Sequence, residues 1–153
     1  MYTNLSRDDI MKNQFTASAS VRIHASTAKV WQGLTDPNLI KKYFFGTEAI
    51  SDWKVGSQLL FKGVWEGKEY LDKGTILQVE PERLFRYNYL SSFSNMEDKP
   101  ENYANVTYEL SDQNGETSLV VTQDNILSDE ARKHSEQNWL FILNELKKLL
   151  EGN

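Results

Sequence analysis

The sequence predicts an α+β fold in which a strongly curved antiparallel sheet of six to seven strands wraps around one long C-terminal helix. Apolar and polar residues alternate with a period of two through most of the chain before residue 126, as in half-buried strands. After residue 128 the apolar residues recur at helical spacing instead. That helix would run for about twenty residues, or roughly 30 Å, which is enough to lie across such a sheet.

The first strand is predicted at Phe15 to Ile23, and two short helices are predicted to follow it. Ser26 can cap the first helix through its side-chain oxygen. Asp36 and Pro37 predict the start of the second helix, because aspartate caps well and proline at the first helical position loses no hydrogen bond. Gly46 can end this second helix.

The chain after the two helices is predicted to form six more strands joined by tight turns. The segments Val55-Gly56-Ser57, Glu66-Gly67 and Asn114-Gly115 each place glycine where a positive φ costs little. Because the connections are short, neighbouring strands should pair in antiparallel fashion. The predicted strands span Thr47–Ile50, Gln58–Trp65, Lys68–Val79, Leu84–Leu90, Tyr103–Leu110 and Thr117–Asn125.

The C-terminal helix carries the clearest pattern in the chain. Ser128 can cap it, and Asp129 and Glu130 suit the positive end of the helix dipole. Phe141 lies roughly opposite the apolar stripe, so it is either a single exposed aromatic residue or a contact with a partner subunit or the N-terminal tail. The stripe itself consists of Ser135, Trp139, Ile142, Leu143, Leu146, Leu149 and Leu150.

Length and composition favour one cytoplasmic domain. With 153 residues, we expect a flexible N-terminal tail over residues 1–13 and a single domain over residues 14–151. The tail lacks the apolar core of a signal peptide, and no run reaches the roughly 18 apolar residues of a membrane span. A net charge of -5 and a pI near 5.1 argue against nucleic-acid binding.

Motifs for metals, cofactors and nucleophiles are missing from the sequence. It has no cysteine, and His24 and His134 are too far apart to suggest a ligand pair. It also contains no phosphate-binding glycine loop and no strained serine elbow. We therefore expect neither a metal site nor a cofactor.

Four segments of the sequence resemble the SRPBCC (START-like, birch-pollen-allergen-like) superfamily, and in particular the branch named for the activator of the heat-shock chaperone ATPase. They are Ala28–Pro37, Asp52–Ser57, Lys73–Leu84, and Asn138-Trp139 with the leucines that follow. The resemblance covers nearly everything from residue 14 to residue 151. It implies a helix-grip fold, a START-like ligand-binding domain, and a hydrophobic cavity between sheet and helix. It does not imply a reaction, because one fold hosts many functions.

The chain departs from the family pattern at two positions. Gln123 stands where many members carry a histidine late in the last strand, and Asn138 replaces the usual glycine before the helix tryptophan. Both changes add hydrogen-bonding capacity near the first half of the helix. We expect Gln123 and Asn138 to act as polar anchors for a ligand.

Aromatic residues on the predicted strands are the main evidence for a binding site. If their strand faces point at the helix, they converge on one space with Trp139. Tyrosine and tryptophan combine apolar area with one polar tip each, which suits a flat or amphipathic ligand. The alternative is that they simply fill a core. The expected lining is Phe61, Trp65, Tyr70, Tyr87, Tyr89, Tyr108 and Trp139.

Asp72 is the one carboxylate expected near the cavity, because it shares a strand face with Tyr70 and Gly74. A lone carboxylate is a weak sign of general acid–base catalysis, which usually needs a matched partner. Our leading hypothesis is therefore non-catalytic binding of a small hydrophobic or amphipathic molecule. A protein–protein adaptor that activates a chaperone ATPase is the second hypothesis. A small enzyme such as a cyclase, dehydratase or hydrolase, which uses Asp72 with a tyrosine, is the third.

Overall fold

The computed structural model describes residues 15–152, so the predicted flexible tail (residues 1–13) and residue 14 lie outside the described residues. Seven strands, three α-helices and one turn of 3-10 helix at Pro100–Asn102 make up the described chain. In chain order, the strands and helices are β1 (Phe15–Ile23), α1 (Thr27–Thr35), α2 (Pro37–Tyr43), β2 (Glu48–Ile50), β3 (Gln58–Trp65), β4 (Lys68–Glu80), β5 (Leu84–Tyr89), β6 (Ala104–Gln113), β7 (Glu116–Ile126) and α3 (Asp129–Leu150).

The seven strands form one sheet in the order β1-β7-β6-β5-β4-β3-β2, and every neighbouring pair is antiparallel. Strands β2 to β7 follow one another as a meander. The first strand, β1, pairs with the last strand, β7, and lies at the opposite end of the sheet from β2. The predicted α+β architecture, with two short helices after the first strand and a long C-terminal helix, is confirmed.

The predicted helix caps are also confirmed. The side chains of Ser26, Asp36 and Ser128 each accept a hydrogen bond from a backbone N–H in the first turn of their helix. The second helix ends at Tyr43, slightly before the predicted stop at Gly46. Phe45 and Gly46 follow with φ values of 57° and 74°, and together they turn the chain towards β2.

Strand β1 is an edge strand, and side chains of α3 cover its free edge. The Ser18 N–H donates to a carboxylate oxygen of Glu136 at 3.1 Å, and Lys147 Nζ donates to the Arg22 carbonyl at 2.7 Å. These bonds satisfy main-chain groups that would otherwise offer an open edge to another strand. They also fix the position of α3 along the sheet.

The core lies between the inner face of the sheet and the three helices. Its helix-side residues confirm the predicted stripe of α3, with Trp139, Ile142, Leu143, Leu146 and Leu150 all buried. At the α1–α3 crossing, a β-carbon on Gly33 would lie 3.0 Å from a methyl carbon of Leu146, so a larger residue there would require the Leu146 side chain to shift by a few tenths of an ångström.

Candidate functional site

The space between the sheet and α3 is filled almost completely by side chains. Phe61, Tyr87, Tyr108 and Trp139 are all buried there, as predicted from strand alternation and the helix stripe. The cavity that remains has a volume of about 10 Å³. A cavity must reach roughly 10–15 Å³ to hold one water molecule, so this one holds a single water at most. Its aromatic lining comes from Tyr43, Phe44, Trp53, Phe61, Phe85, Tyr87 and Tyr108.

Three tyrosine side chains line this cavity. The rings of Tyr87 and Tyr108 pack against each other with their centroids 6.1 Å apart. Tyr43 Oη donates to the Gly33 carbonyl at 2.8 Å. That carbonyl lies at the end of α1, where the residue four positions on is Pro37, which has no N–H to donate. The phenol of Tyr43 therefore replaces a missing backbone donor.

Burial keeps these three phenols neutral. It raises the pKa of Tyr43 and of Tyr87 well above the ordinary value for tyrosine, because the phenolate would be poorly solvated. Burial also raises the pKa of Tyr108 to about 12, although the neighbouring phenol of Tyr87 acts in the opposite direction. At neutral pH the site therefore presents neutral hydroxyl groups and no phenolate base.

Gln123 on β7 links the sheet to α3. Its side-chain oxygen accepts hydrogen bonds from Trp139 Nε1 at 2.8 Å and from Ser135 Oγ at 3.1 Å. The predicted anchor Gln123 thus bonds to the protein's own helix. Asn138 is exposed, because it precedes Trp139 by one residue and so points about 100° away around the helix. The structure does not bring it to the interior.

Three other predicted lining residues lie at or beyond the margin of the cavity. Trp65 shares the inner face of β3 with Phe61, yet 48% of it is exposed at the end of the strand. Tyr70 lies over Gly63, and its hydroxyl is 2.5 Å from Thr47 Oγ1. This contact links β4 to the residue that precedes β2. Tyr89 is half-buried and packs edge-on against Phe61 at 6.2 Å.

Asp72 is buried and anchors the loop that follows β5. Its carboxylate accepts from the Ser92 N–H at 2.7 Å, from the Ser92 hydroxyl at 2.9 Å and from the Tyr89 hydroxyl at 3.2 Å. Burial and then the charge of Asp72 raise the pKa of Tyr89, so this tyrosine stays a neutral donor. Neither residue lines the residual cavity. These contacts explain the buried carboxylate as a structural anchor.

Sequence reasoning missed four aromatic residues that line the cavity. Tyr43 is the last residue of the short helix α2 and Phe44 caps its end, and both belong to its apolar stripe. Phe85 shares a strand face with Tyr87, so helical periodicity and strand alternation could together have identified all three. Trp53 lies in a turn with a φ of 62°, and no periodic pattern marks it.

Three exposed aromatic residues contact one another at the surface, and we call them the aromatic trio. They are Phe45, Trp65 and Phe141. The rings of Phe45 and Phe141 are parallel at 5.7 Å, and Trp65 meets Phe45 edge-on at 5.5 Å. Between 38% and 52% of each residue is exposed. Phe44 lies 6.1 Å from both Phe45 and the buried Trp139, and so connects the trio to the core. That Phe141 contacts a partner subunit or the N-terminal tail stays a prediction.

Residues 15–152 contain neither a cluster of metal-binding side chains nor a membrane-spanning helix. Within residues 15–152, no group of three or more histidine, aspartate or glutamate side chains is arranged to hold a metal ion. Over the same residues, no helix combines the length and the apolar character needed to cross a bilayer.

Comparison with known proteins places the chain among relatives of the same fold. A profile of the family described as Activator of Hsp90 ATPase homolog 1-like protein matches residues 24–151. No curated protein sequence matches the chain. The solution structure of ChR145 from Cytophaga hutchinsonii is 43% identical, with 92% of this chain and 96% of that chain covered and a TM-score of 0.81.

Two more distant structures share the fold. The Aha1 dimer from Colwellia psychrerythraea is 21% identical over 90% of this chain and 96% of that chain, with a TM-score of 0.70. Ara h 8.0201 is 14% identical over 91% of this chain and 99% of that chain, with a TM-score of 0.73. The predicted helix-grip fold and the predicted superfamily are thereby confirmed.

Proposed function

This chain belongs to the Activator of Hsp90 ATPase homolog 1-like family, and we propose that it binds a small hydrophobic or amphipathic molecule between the sheet and α3 without catalysing a reaction. The observation that supports this is the set of three neutral phenols of Tyr43, Tyr87 and Tyr108 around the residual cavity. A buried hydroxyl is costly unless it is hydrogen-bonded, so a core selected only for stability would favour Leu, Ile, Val and Phe there.

Binding requires the site to open. Sites for small ligands usually enclose about 300–1,000 Å³, far more than the residual cavity. Phe44 is the residue best placed to move, because it lines the cavity and also precedes the two positive-φ residues Phe45 and Gly46. The ligand would then select an open conformer of the protein, and its observed affinity would be reduced by the cost of opening.

Native mass spectrometry of the freshly purified protein tests the proposal first. A ligand carried from the cell would appear as extra mass that is absent from the denatured protein. The second measurement is fluorescence titration with 1-anilinonaphthalene-8-sulfonate, an amphipathic aromatic probe. We expect saturable binding that weakens in Tyr87→Phe and Tyr108→Phe, whereas the control Tyr103→Phe, at a half-buried position outside the cavity, should match the wild type. A bare mass together with no probe binding would refute the proposal.

A protein–protein adaptor is the second candidate, and the aromatic trio is the observation that favours it. Exposed aromatic groups often mark protein interaction sites. The family description suggests a chaperone ATPase of the Hsp90 class as the partner. Phe141→Ser and Trp65→Ser should then abolish stimulation of a purified Hsp90 ATPase, whereas Tyr87→Phe should leave it intact. No stimulation by the wild-type protein would rule out this candidate.

A further inference from the structure

A groove of about 360 Å³ lies on the outer face of the sheet, which is the face turned away from α3. Its volume is within the usual range for small-molecule sites, unlike that of the interior cavity. Strand register aligns its central side chains in one row: Gln78 is opposite Arg86, Arg86 opposite Thr107, and Thr107 opposite Thr122. The groove is therefore built from five neighbouring strands, because Thr16 of β1 also lines it beside β7.

Arg86 is the cationic group of this groove. Its Nε donates to Thr107 Oγ1 at 3.0 Å, which fixes the plane of the guanidinium group. The arginines 22, 83 and 132 each pair with a glutamate or an aspartate. Arg86, in contrast, makes no such pair with any carboxylate of residues 15–152. A guanidinium group has five N–H donors, so the remaining ones can reach a bound acceptor.

The hydroxyl of Thr107 adds a second donor beside Arg86. Thr107 is only 8% exposed, and because its oxygen accepts from Arg86, its own proton can point into the groove. Guanidinium and hydroxyl donors held side by side suit a carboxylate or phosphate group, which can accept two bonds at once from arginine. This end of the groove thus favours an oxyanion.

The opposite end has a different chemistry. Asp124 accepts from the Asn105 N–H at 2.6 Å and from Asn105 Nδ2 at 3.0 Å. Those two bonds hold its carboxylate in place, and its remaining lone pairs can accept from a ligand. Asn105 and Thr107 are two residues apart on β6, so the two ends of the groove are separated by roughly 7 Å. The matching ligand carries an oxyanion at one end and hydroxyl or amino donors at the other.

We propose that the outer groove is a second binding site, which takes a small polar molecule with a carboxylate or phosphate group held by Arg86 and Thr107 and with donor groups facing Asp124. This site is separate from the proposed interior site, because it lies across the sheet from α3. Arg86 and Thr107 would select the anion, and Asp124 would disfavour a second negative charge at the far end.

Two-dimensional ¹H–¹⁵N NMR titration of the full chain tests the proposal with three probes: inorganic phosphate, glucose 6-phosphate and gluconate, which carries one carboxylate and several hydroxyl groups. We expect saturable shifts of β5, β6 and β7 amides, and the relative affinities of the probes separate phosphate from carboxylate recognition. Arg86→Gln should weaken binding about tenfold or more, because a hydrogen bond to a charged group is lost. The matched control is Arg83→Gln, which removes a paired surface arginine and should change the affinity less than about twofold.

Three results would overturn the proposal. They are an absence of saturable shifts with all three probes, equal weakening by both substitutions, or shifts located away from the groove. A further measurement keeps this inference independent of the interior site. Binding of N-phenyl-1-naphthylamine, an apolar aromatic probe without an anionic group, by Arg86→Gln should equal that of the wild type, and a loss of that binding would show that the substitution disturbs the fold and not a separate groove.

Discussion

Tyr43→Phe is the substitution for which the structure gives the most definite expectation. It removes one oxygen and leaves the ring in place, so the packing around α2 should not change. What it removes is the donor to the Gly33 carbonyl, a bond of 2.8 Å between two buried residues. Because Pro37 has no N–H, that carbonyl would lose its partner in the described chain.

The expected cost follows from the buried acceptor. Leaving a buried donor or acceptor without a partner costs about 1–3 kcal/mol, so we expect Tyr43→Phe to lower the free energy of unfolding by about 2 kcal/mol. For a chain of this size, that loss corresponds to a fall in Tm of about 4–8 °C. Urea denaturation should show a lower midpoint with an unchanged slope, because the surface exposed on unfolding is the same.

The control is Tyr103→Phe, which also deletes one tyrosine hydroxyl that donates a hydrogen bond. Tyr103 donates to Asp98 at 2.6 Å at the protein surface, where water can replace the bond. We expect this change to stay within about 0.5 kcal/mol of the wild type. If Tyr43→Phe also stays within that limit, the phenol is not needed as a substitute for the backbone donor, and the argument from Pro37 is wrong.

Two further predictions concern the sheet and the buried phenols. A β-carbon at position 74 would lie 1.7 Å from the backbone oxygen of Asn88, so Gly74→Ala should cost about 3 kcal/mol or more. Gly63→Ala meets only the movable ring of Tyr70 and should cost clearly less in a thermal unfolding series; equal losses would contradict this. The pKa of Tyr108 is raised in the folded state, so the folded protein holds that proton longer, and stability should be constant below pH 10 and fall as the pH rises to 12. By pH 12 the loss from Tyr108 alone is about 2 kcal/mol, measurable as urea midpoints against pH, and stability that does not change up to pH 12 would refute it.

The bounds of several strands could be predicted from the sequence, because burial of one strand face dominates their pattern of residues. The bounds of β1 and β3 agree with the structure, because alternation along a half-buried strand is a strong signal. Strand β6 runs three residues beyond the predicted end at Leu110, to Gln113. The turn at Asn114 and Gly115 has positive φ at both residues, which lets the ladder of β6 and β7 continue to the turn through polar positions.

The candidate site was predictable only in part, because alternation gives the face of a strand but not what covers it. Phe61 and Trp65 share the inner face of β3, yet only Phe61 lies under a helix. Likewise, adjacent positions on α3 differ by about 100°, so Trp139 is buried and Asn138 is exposed. How completely side chains fill the interior depends on packing in three dimensions, and no one-dimensional pattern contains that information.

The pairing of β1 with β7 has a consequence for how the chain is made. Ile23 pairs with Thr117, and Phe15 pairs with Ile126, so the strand that pairs with β1 among residues 15–152 is synthesised about 100 residues after it. At roughly 5–20 residues per second, the nascent β1 strand waits on the order of 5–20 s for its partner. The meander from β2 to β6 is able to assemble during that interval, because each of its strands pairs with the next. Joining β1 to the sheet, and covering its edge with α3, therefore come after the meander from β2 to β6 has been synthesised.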